Sequence, residues 1–231
     1  MHPTSRLLRP SLNAVTLVVA ATVFAVSPPA SAAPVTAAGV VLELPPPPEM
    51  CLLDVAHPVD KTLFQRVVVA TRGSSEVLAA FAECAELKRL RAGTEDVSHW
   101  GQYLRPTPPG AAPRVTASRA VFVRGVADGL TKLTFASSLE KASKQLAEGG
   151  VKMGSVPLGL LHSDSDAVFF GLFAYYGDVE VPSTLVTAMT VVKQVPVSIN
   201  LYAPGASPQS AAQLLTQQKA NLQALLRANP D

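Results

Sequence analysis

Apolar residues form four runs in the last third of the chain, and short polar segments separate the runs within each pair. Each run has the length and the β-branched or aromatic content of a strand. The runs are Leu158–Leu161, Ala167–Tyr176, Thr184–Val192 and Val195–Tyr202. The polar segment His162–Asp166 and the pair Lys193 and Gln194 lie between successive runs, so the pattern predicts two β-hairpins of an antiparallel sheet.

A helix is predicted to close the chain after a Pro-Gly turn. Ser207 is a favourable N-cap, and Pro208 suits the first helical position because that position needs no N–H donor. Leucines then recur at helical spacing until Asn229 and Pro230 end the pattern. The sequence therefore predicts a long C-terminal helix.

Earlier segments predict two further helices joined as a helical hairpin. Asp60 is the predicted N-cap of the first helix, which ends at Gly73, although Val67–Val69 is also typical of a strand. One of the two serines after Gly73 caps the second helix, which is predicted to run to Arg91. A proline-rich loop is expected over residues 93–113, followed by a strand at Val115–Val123. Residues Leu139–Glu148 are predicted to form a short helix.

The first 32 residues have the features of a secretory signal peptide. Arg6 and Arg9 supply positive charge, and the apolar run Leu12–Val26 is shorter than the roughly 20 residues of a membrane span. Cleavage is predicted after Ala32, with an uncleaved anchor as the alternative. Residues 33–50 end in four prolines and predict a semi-rigid linker before a domain over residues 51–231.

Together these patterns predict a single α+β domain in which helices cover an antiparallel sheet, with an N-terminal helical hairpin and a long C-terminal helix. The C-terminal order of hairpin, Pro-Gly turn and closing helix resembles the small exported α+β domains of the PsbP/Mog1 type. The resemblance is one of fold alone and implies no site residues.

Cys51 and Cys84 are the only cysteines of the chain. An even pair in an exported protein predicts one disulfide, with two buried thiols as the alternative. In the chain-entropy model a bridge that closes a loop of this length stabilises the fold by about 3–4 kcal/mol. The pair is therefore interpreted as structural and not as redox chemistry.

Removal of the signal peptide changes the charge of the chain. Of the 19 basic residues, Arg6 and Arg9 leave with the signal, so 17 basic residues balance the 17 acidic ones. Such a neutral chain argues against nucleic-acid binding. The charge is uneven, however, because residues 88–152 carry eleven basic and five acidic residues. That segment predicts either an ordinary solvated face or a surface that attracts anions.

His162, Asp164 and Asp166 form the segment that is richest in chemical groups. An Asp-x-Asp pair can hold a divalent cation, and a histidine beside a carboxylate can act as a general base. The same residues also favour a tight polar turn, because aspartate side chains accept hydrogen bonds from nearby backbone N–H groups. The turn is the favoured interpretation and the site is the alternative.

A second candidate is a binding surface made by His99, Trp100, Tyr103 and Arg105 in the proline-flanked loop. Exposed Trp, Tyr and Arg side chains are typical anchors of protein interfaces. The alternative is that Trp100 packs the loop onto the core, which would leave no such surface.

No nucleophile elbow, zinc motif, phosphate loop or dinucleotide fingerprint occurs in the sequence. We therefore expect no catalytic residue, cofactor or metal. The protein is expected to be exported, either to the periplasm or to the extracellular space. Its expected function is that of a non-enzymatic binding or accessory protein of a bacterial envelope. Its partner is expected to be an unidentified protein or small ligand, not a nucleic acid, with at most peripheral membrane contact. The alternatives are a secreted hydrolase that uses His162 with Asp164 or Asp166, and a protein that binds anionic lipid through residues 88–152.

Overall fold

The computed structural model describes residues 32–94, 96–108, 110, 112–132, 153–176 and 181–230. These residues form nine strands and four helices. The strands are β1 (Ala33–Ala37), β2 (Val40–Leu44), β3 (Met50–Leu52), β4 (Ser75–Glu83), β5 (Trp100–Pro106), β6 (Met153–Ser163), β7 (Val168–Tyr176), β8 (Val181–Val192) and β9 (Val195–Pro204). The helices are α1 (Pro58–Thr71), α2 (Cys84–Arg91), α3 (Arg119–Lys132) and α4 (Pro208–Ala228).

Seven of the strands form one antiparallel sheet in the order β3-β4-β5-β9-β8-β7-β6. The predicted mixed fold, its antiparallel sheet and its C-terminal helix are therefore confirmed. Strand β5 pairs with β9 from Trp100 opposite Tyr202 to Leu104 opposite Ser198. This pair joins the strands of the first half of the sequence to those of the second half.

Helices cover both faces of the sheet. Residues alternate between faces along a strand, so Ala79 and Phe81 of β4 lie on one face and Ala80 and Ala82 on the other. The first face lies under α4 and the β1–β2 hairpin and contains the main core. On the second face α1 and α2 pack against β4, and α3 packs against β6, β7 and β8.

The predicted linker over residues 33–50 is wrong, because β1 and β2 pair as a hairpin that packs into the core. Leu42 and Leu44 are fully buried. The Asn229 side chain at the end of α4 donates to Glu43 O at 2.7 Å and accepts from Glu43 N at 2.9 Å. The prolines that follow end a strand here and do not separate the segment from the domain.

The predicted helical hairpin is also corrected. Its first helix is present as α1, but Asp60 lies inside the first turn and His57 is the N-cap. The second helix is wrong in its first half, because Ser75–Glu83 is the strand β4 and only Cys84–Arg91 is helical. Five consecutive residues of β4, 78–82, are buried, and a strand covered on both faces is apolar throughout and loses the alternation that would identify it.

The strand predicted at Val115–Val123 is wrong, since α3 begins at Arg119. The helix predicted at Leu139–Glu148 lies outside the described residues, as does the signal peptide predicted over residues 1–32 apart from Ala32. Within the described part of the chain, no helix has both the length and the apolar character needed to cross a membrane.

Two links hold α1, α2 and β3 together. The predicted pairing of Cys51 with Cys84 is confirmed and joins β3 to the first residue of α2. Asp60 of α1 is fully buried and accepts hydrogen bonds from Arg91 of α2 on both carboxylate oxygens. Burial raises the pKa of Asp60, but the hydrogen bonds from Arg91 and from Asp54 N outweigh it and lower the pKa below its usual value.

Replacement of Gly101 by alanine is expected to destabilise the protein through the β5–β9 pair. A Cβ at this position would overlap the carbonyl oxygen of Asn200 and the ring of Phe81. We expect the G101A variant to lose about 1–3 kcal/mol of unfolding free energy in urea titrations, the range for overpacked cores. The control G125A has open space around its new Cβ in α3 and is expected to gain up to about 1 kcal/mol. Equal stability of G101A and wild type would contradict the close packing of this pair.

Candidate anion-binding cleft

A cleft of about 520 Å³ lies where the β8–β9 turn meets the segment that leads into α3. Ala117 and Val191 supply its apolar lining. The polar lining consists of Arg114, Thr116, Ser118, Arg119, Lys193 and Gln194. Three of these side chains are cationic, so the cleft combines positive charge with neutral hydrogen-bond donors.

The β8–β9 turn places Lys193 and Gln194 at the cleft. Both residues have positive φ angles, 48° and 67°, as a two-residue type I′ hairpin requires. The turn thereby matches the twist of the strands, but it holds two residues in a conformation that costs roughly 1–2 kcal/mol each for side chains other than glycine. Val115 N donates to Gln194 O at 2.7 Å and fixes the segment before α3 against this turn. Arg114 is thus held close to Lys193.

Arg119, the first residue of α3, is fixed on both sides. Its Nε donates to Val191 O at 2.9 Å, and its guanidinium lies 3.5 Å from the Asp166 carboxylate. Thr190 Oγ1 donates to Asp166 O at 2.6 Å and holds the β6–β7 turn beside the cleft. Asp166 therefore balances the charge of Arg119.

Arg114 and Lys193 have no carboxylate partner within the described part of the chain. The nearest polar contact of the Lys193 ammonium is Val41 O at 3.5 Å. The hydroxyls of Thr116 and Ser118 likewise form no hydrogen bond among the described residues. With Arg119 and Asp166 balanced, the described residues leave two uncompensated positive charges at the cleft, and that arrangement attracts anions.

Of the predicted turn residues, Asp166 contacts the cleft through its ion pair with the lining residue Arg119. Asp164 closes the β6–β7 turn, since its Oδ1 accepts from Asp166 N at 2.8 Å and from Ala167 N at 3.0 Å. His162 Nε2 lies 3.3 Å from the other oxygen of Asp164. Burial raises the pKa of Asp164, but these backbone bonds and His162 outweigh it and lower the pKa. The carboxylate of Asp164 is therefore engaged in holding the turn.

The residues of the second predicted site do not form one surface. The predicted loop is the strand β5, and Trp100 stacks on Tyr202 with ring centroids 4.1 Å apart. Tyr103 points to the opposite face, where it is fully buried and donates to Pro45 O. Arg105 pairs with Glu76 near the far end of the strand.

His99, the fourth residue of that set, is bound by Glu86 of α2. The two side chains meet at 2.8 Å, and the Glu86 carboxylate also accepts from Ser98 N, Ser98 Oγ and His99 N. Glu83 lies 3.9 Å from the same imidazole nitrogen, so these three side chains have the spacing of metal ligands. Four hydrogen bonds already occupy the Glu86 oxygens, however, and a role in anchoring the start of β5 explains the cluster.

Sequence reasoning missed the residues of the cleft as a set. Arg114 and Arg119 lie within the basic segment 88–152, and the sequence predicts Lys193 and Gln194 only as turn residues. The available signal was a lysine in a two-residue hairpin where Asn-Gly is favoured. Comparisons with protein-family models, with curated proteins and with solved structures found no match to this chain.

The Glu86 anchor predicts a specific dependence of stability on pH. Burial raises the pKa of Glu86, but the hydrogen bonds from His99 and Ser98 outweigh it and lower the pKa from 4.5 to about 2. The stabilisation is therefore fully present above pH 4.5 and is lost as the pH falls toward 2. We expect E86Q to be less stable than wild type by about 1–3 kcal/mol at neutral pH, with the difference shrinking in acid.

Urea unfolding at several pH values tests this expectation. The control E83Q alters a half-exposed carboxylate of the same cluster and is expected to keep the acid dependence of the wild type. An E86Q variant whose stability falls in acid as steeply as that of the wild type would show that Glu86 is not the anchor.

Proposed function

We propose that this protein is a non-enzymatic binding module, exported to a bacterial envelope, that holds an anionic ligand in the cleft between α3 and the β8–β9 turn. The observation that carries the proposal is the pair of cations Arg114 and Lys193. Both residues line the cleft, and neither has a carboxylate partner among the described residues. The disulfide between Cys51 and Cys84 supports export, because such bonds persist in oxidising compartments.

The composition of the cleft favours binding over catalysis. Its hydroxyls belong to Thr116 and Ser118, and within the described chain neither contacts an imidazole or a carboxylate that would activate it as a nucleophile. Asp166 is paired with Arg119. What remains is a set of donors and positive charges, which suits the retention of an anion.

The backbone of the turn also supports a role for Lys193 and Gln194. Glycine or asparagine would adopt the positive φ angles of the turn at a lower conformational cost, yet the chain has a lysine and a glutamine there. Strained residues of this kind cluster at binding sites, where the surrounding structure compensates for their cost.

A hydrolase built on His162 receives less support. The polar contact of His162 within the described residues is with Asp164, and both oxygens of that carboxylate have partners. A nucleophilic hydroxyl or thiol in contact with the imidazole would be needed to favour hydrolysis.

The test uses inorganic sulfate as a probe and measures its binding to the protein by isothermal titration calorimetry. We expect saturable binding that weakens as sodium chloride is raised, because counterions screen both cations. Removing two positive donors in the double variant R114A/K193A is expected to weaken sulfate binding by roughly tenfold or more, since each tenfold is about 1.4 kcal/mol.

The matched control is the double variant K61A/R66A, which removes one lysine and one arginine from the exposed surface of α1. It changes the net charge of the protein by the same amount and is expected to leave binding within about twofold of wild type. Equal losses in both double variants would indicate a diffuse effect of net charge and would contradict a site in this cleft.

A further inference from the structure

Resting on this proposed function, we infer that the group held in the cleft is a phosphomonoester dianion, carried either by a small molecule or by a lipid headgroup. The first reason is the charge of the cleft. Arg114, Arg119 and Lys193 supply three positive charges, and Asp166 compensates the one on Arg119. Among the described residues two positive charges remain, which match the charge of a phosphomonoester near neutral pH and exceed that of a carboxylate or a phosphodiester.

The second reason is the number and kind of hydrogen-bond donors in the cleft. The cationic residues Arg114 and Lys193 line the same cleft as the hydroxyl residues Thr116 and Ser118 and the amide residue Gln194. These donors come from two separate segments of the chain. A phosphomonoester presents three terminal oxygens in different directions and can use donors on several sides, whereas a carboxylate presents two oxygens in one plane.

The start of α3 adds donors at the same place. The helix has 14 residues, and the N–H groups of Ala120 and Val121 in its first turn have no acceptor among the described residues. Ser118 precedes the helix but its side chain forms no capping hydrogen bond there. The partial positive charge of the helix end therefore reinforces the two cations, which define the site.

The experiment compares glycerol 3-phosphate with acetate and with the diester glycerophosphoglycerol by calorimetry on the protein. We expect the phosphomonoester to bind at least tenfold more tightly than either competitor. Its affinity is expected to fall as the pH drops from about 7.5 to 5, because the second pKa of the phosphate is about 6 and the dianion is lost. Sulfate stays dianionic over this range, so it controls for changes in the protein itself.

A second arm identifies the source of the phosphomonoester. Phosphatidylcholine vesicles with and without phosphatidic acid are sedimented with the protein, and glycerol 3-phosphate is added as a competitor. Sedimentation that requires phosphatidic acid and that R114A/K193A loses would identify a lipid headgroup. Binding of free glycerol 3-phosphate without sedimentation would identify a soluble ligand. Either result supports the inference, provided that K61A/R66A behaves as wild type.

Three outcomes overturn the inference, and they separate it from the proposed function. Equal affinities for glycerol 3-phosphate, acetate and the diester, all lost in R114A/K193A, would show a general anion site and refute the phosphomonoester preference alone. The same would follow if phosphomonoester affinity did not change with pH. Absence of binding of any anion, sulfate included, would refute both proposals.

Discussion

The pairing of β5 with β9 is the interaction on which the rest of the structure depends. It joins β3, β4 and β5 from the first half of the sequence to β6–β9 from the second, so one sheet replaces two small ones. The backbones approach so closely at Gly101 that a side chain has no room against Asn200 and Phe81. With the sheet continuous, α4 and the β1–β2 hairpin bury one face while α1, α2 and α3 cover the other.

The same pairing produces the cleft. Because β5 runs antiparallel to β9, its C-terminal end lies at the edge where the β8–β9 turn projects. The segment after β5 then passes this turn and is fixed to it by the bond from Val115 N to Gln194 O. Arg114 and Lys193, which are far apart in sequence, become neighbours, and Asp166 neutralises only the third cation, Arg119. The charge of the cleft is therefore a consequence of the sheet topology.

Local signals explain which parts of the fold were predictable. The hairpins of the last third and α4 follow from apolar runs of strand length, turn residues and the Ser207 cap, and each of these acts within a few residues. The prediction for residues 75–83 was wrong because a strand buried on both faces shows no alternation. The prediction for residues 33–44 was wrong because the prolines that follow indicated a linker. The cleft could not be predicted from the sequence, because charge composition alone does not show that Arg114 and Lys193 line the same cleft.

The measurement that tests the central claim most directly is a titration of the uniformly ¹⁵N-labelled protein with glycerol 3-phosphate, followed by two-dimensional amide NMR. The account predicts saturable shifts of the amides of Ser118, Arg119, Ala120, Lys193 and Gln194, with a single dissociation constant for all of them. Shifts confined to other parts of the surface, or small shifts that grow linearly without saturation, would contradict an anion site in this cleft.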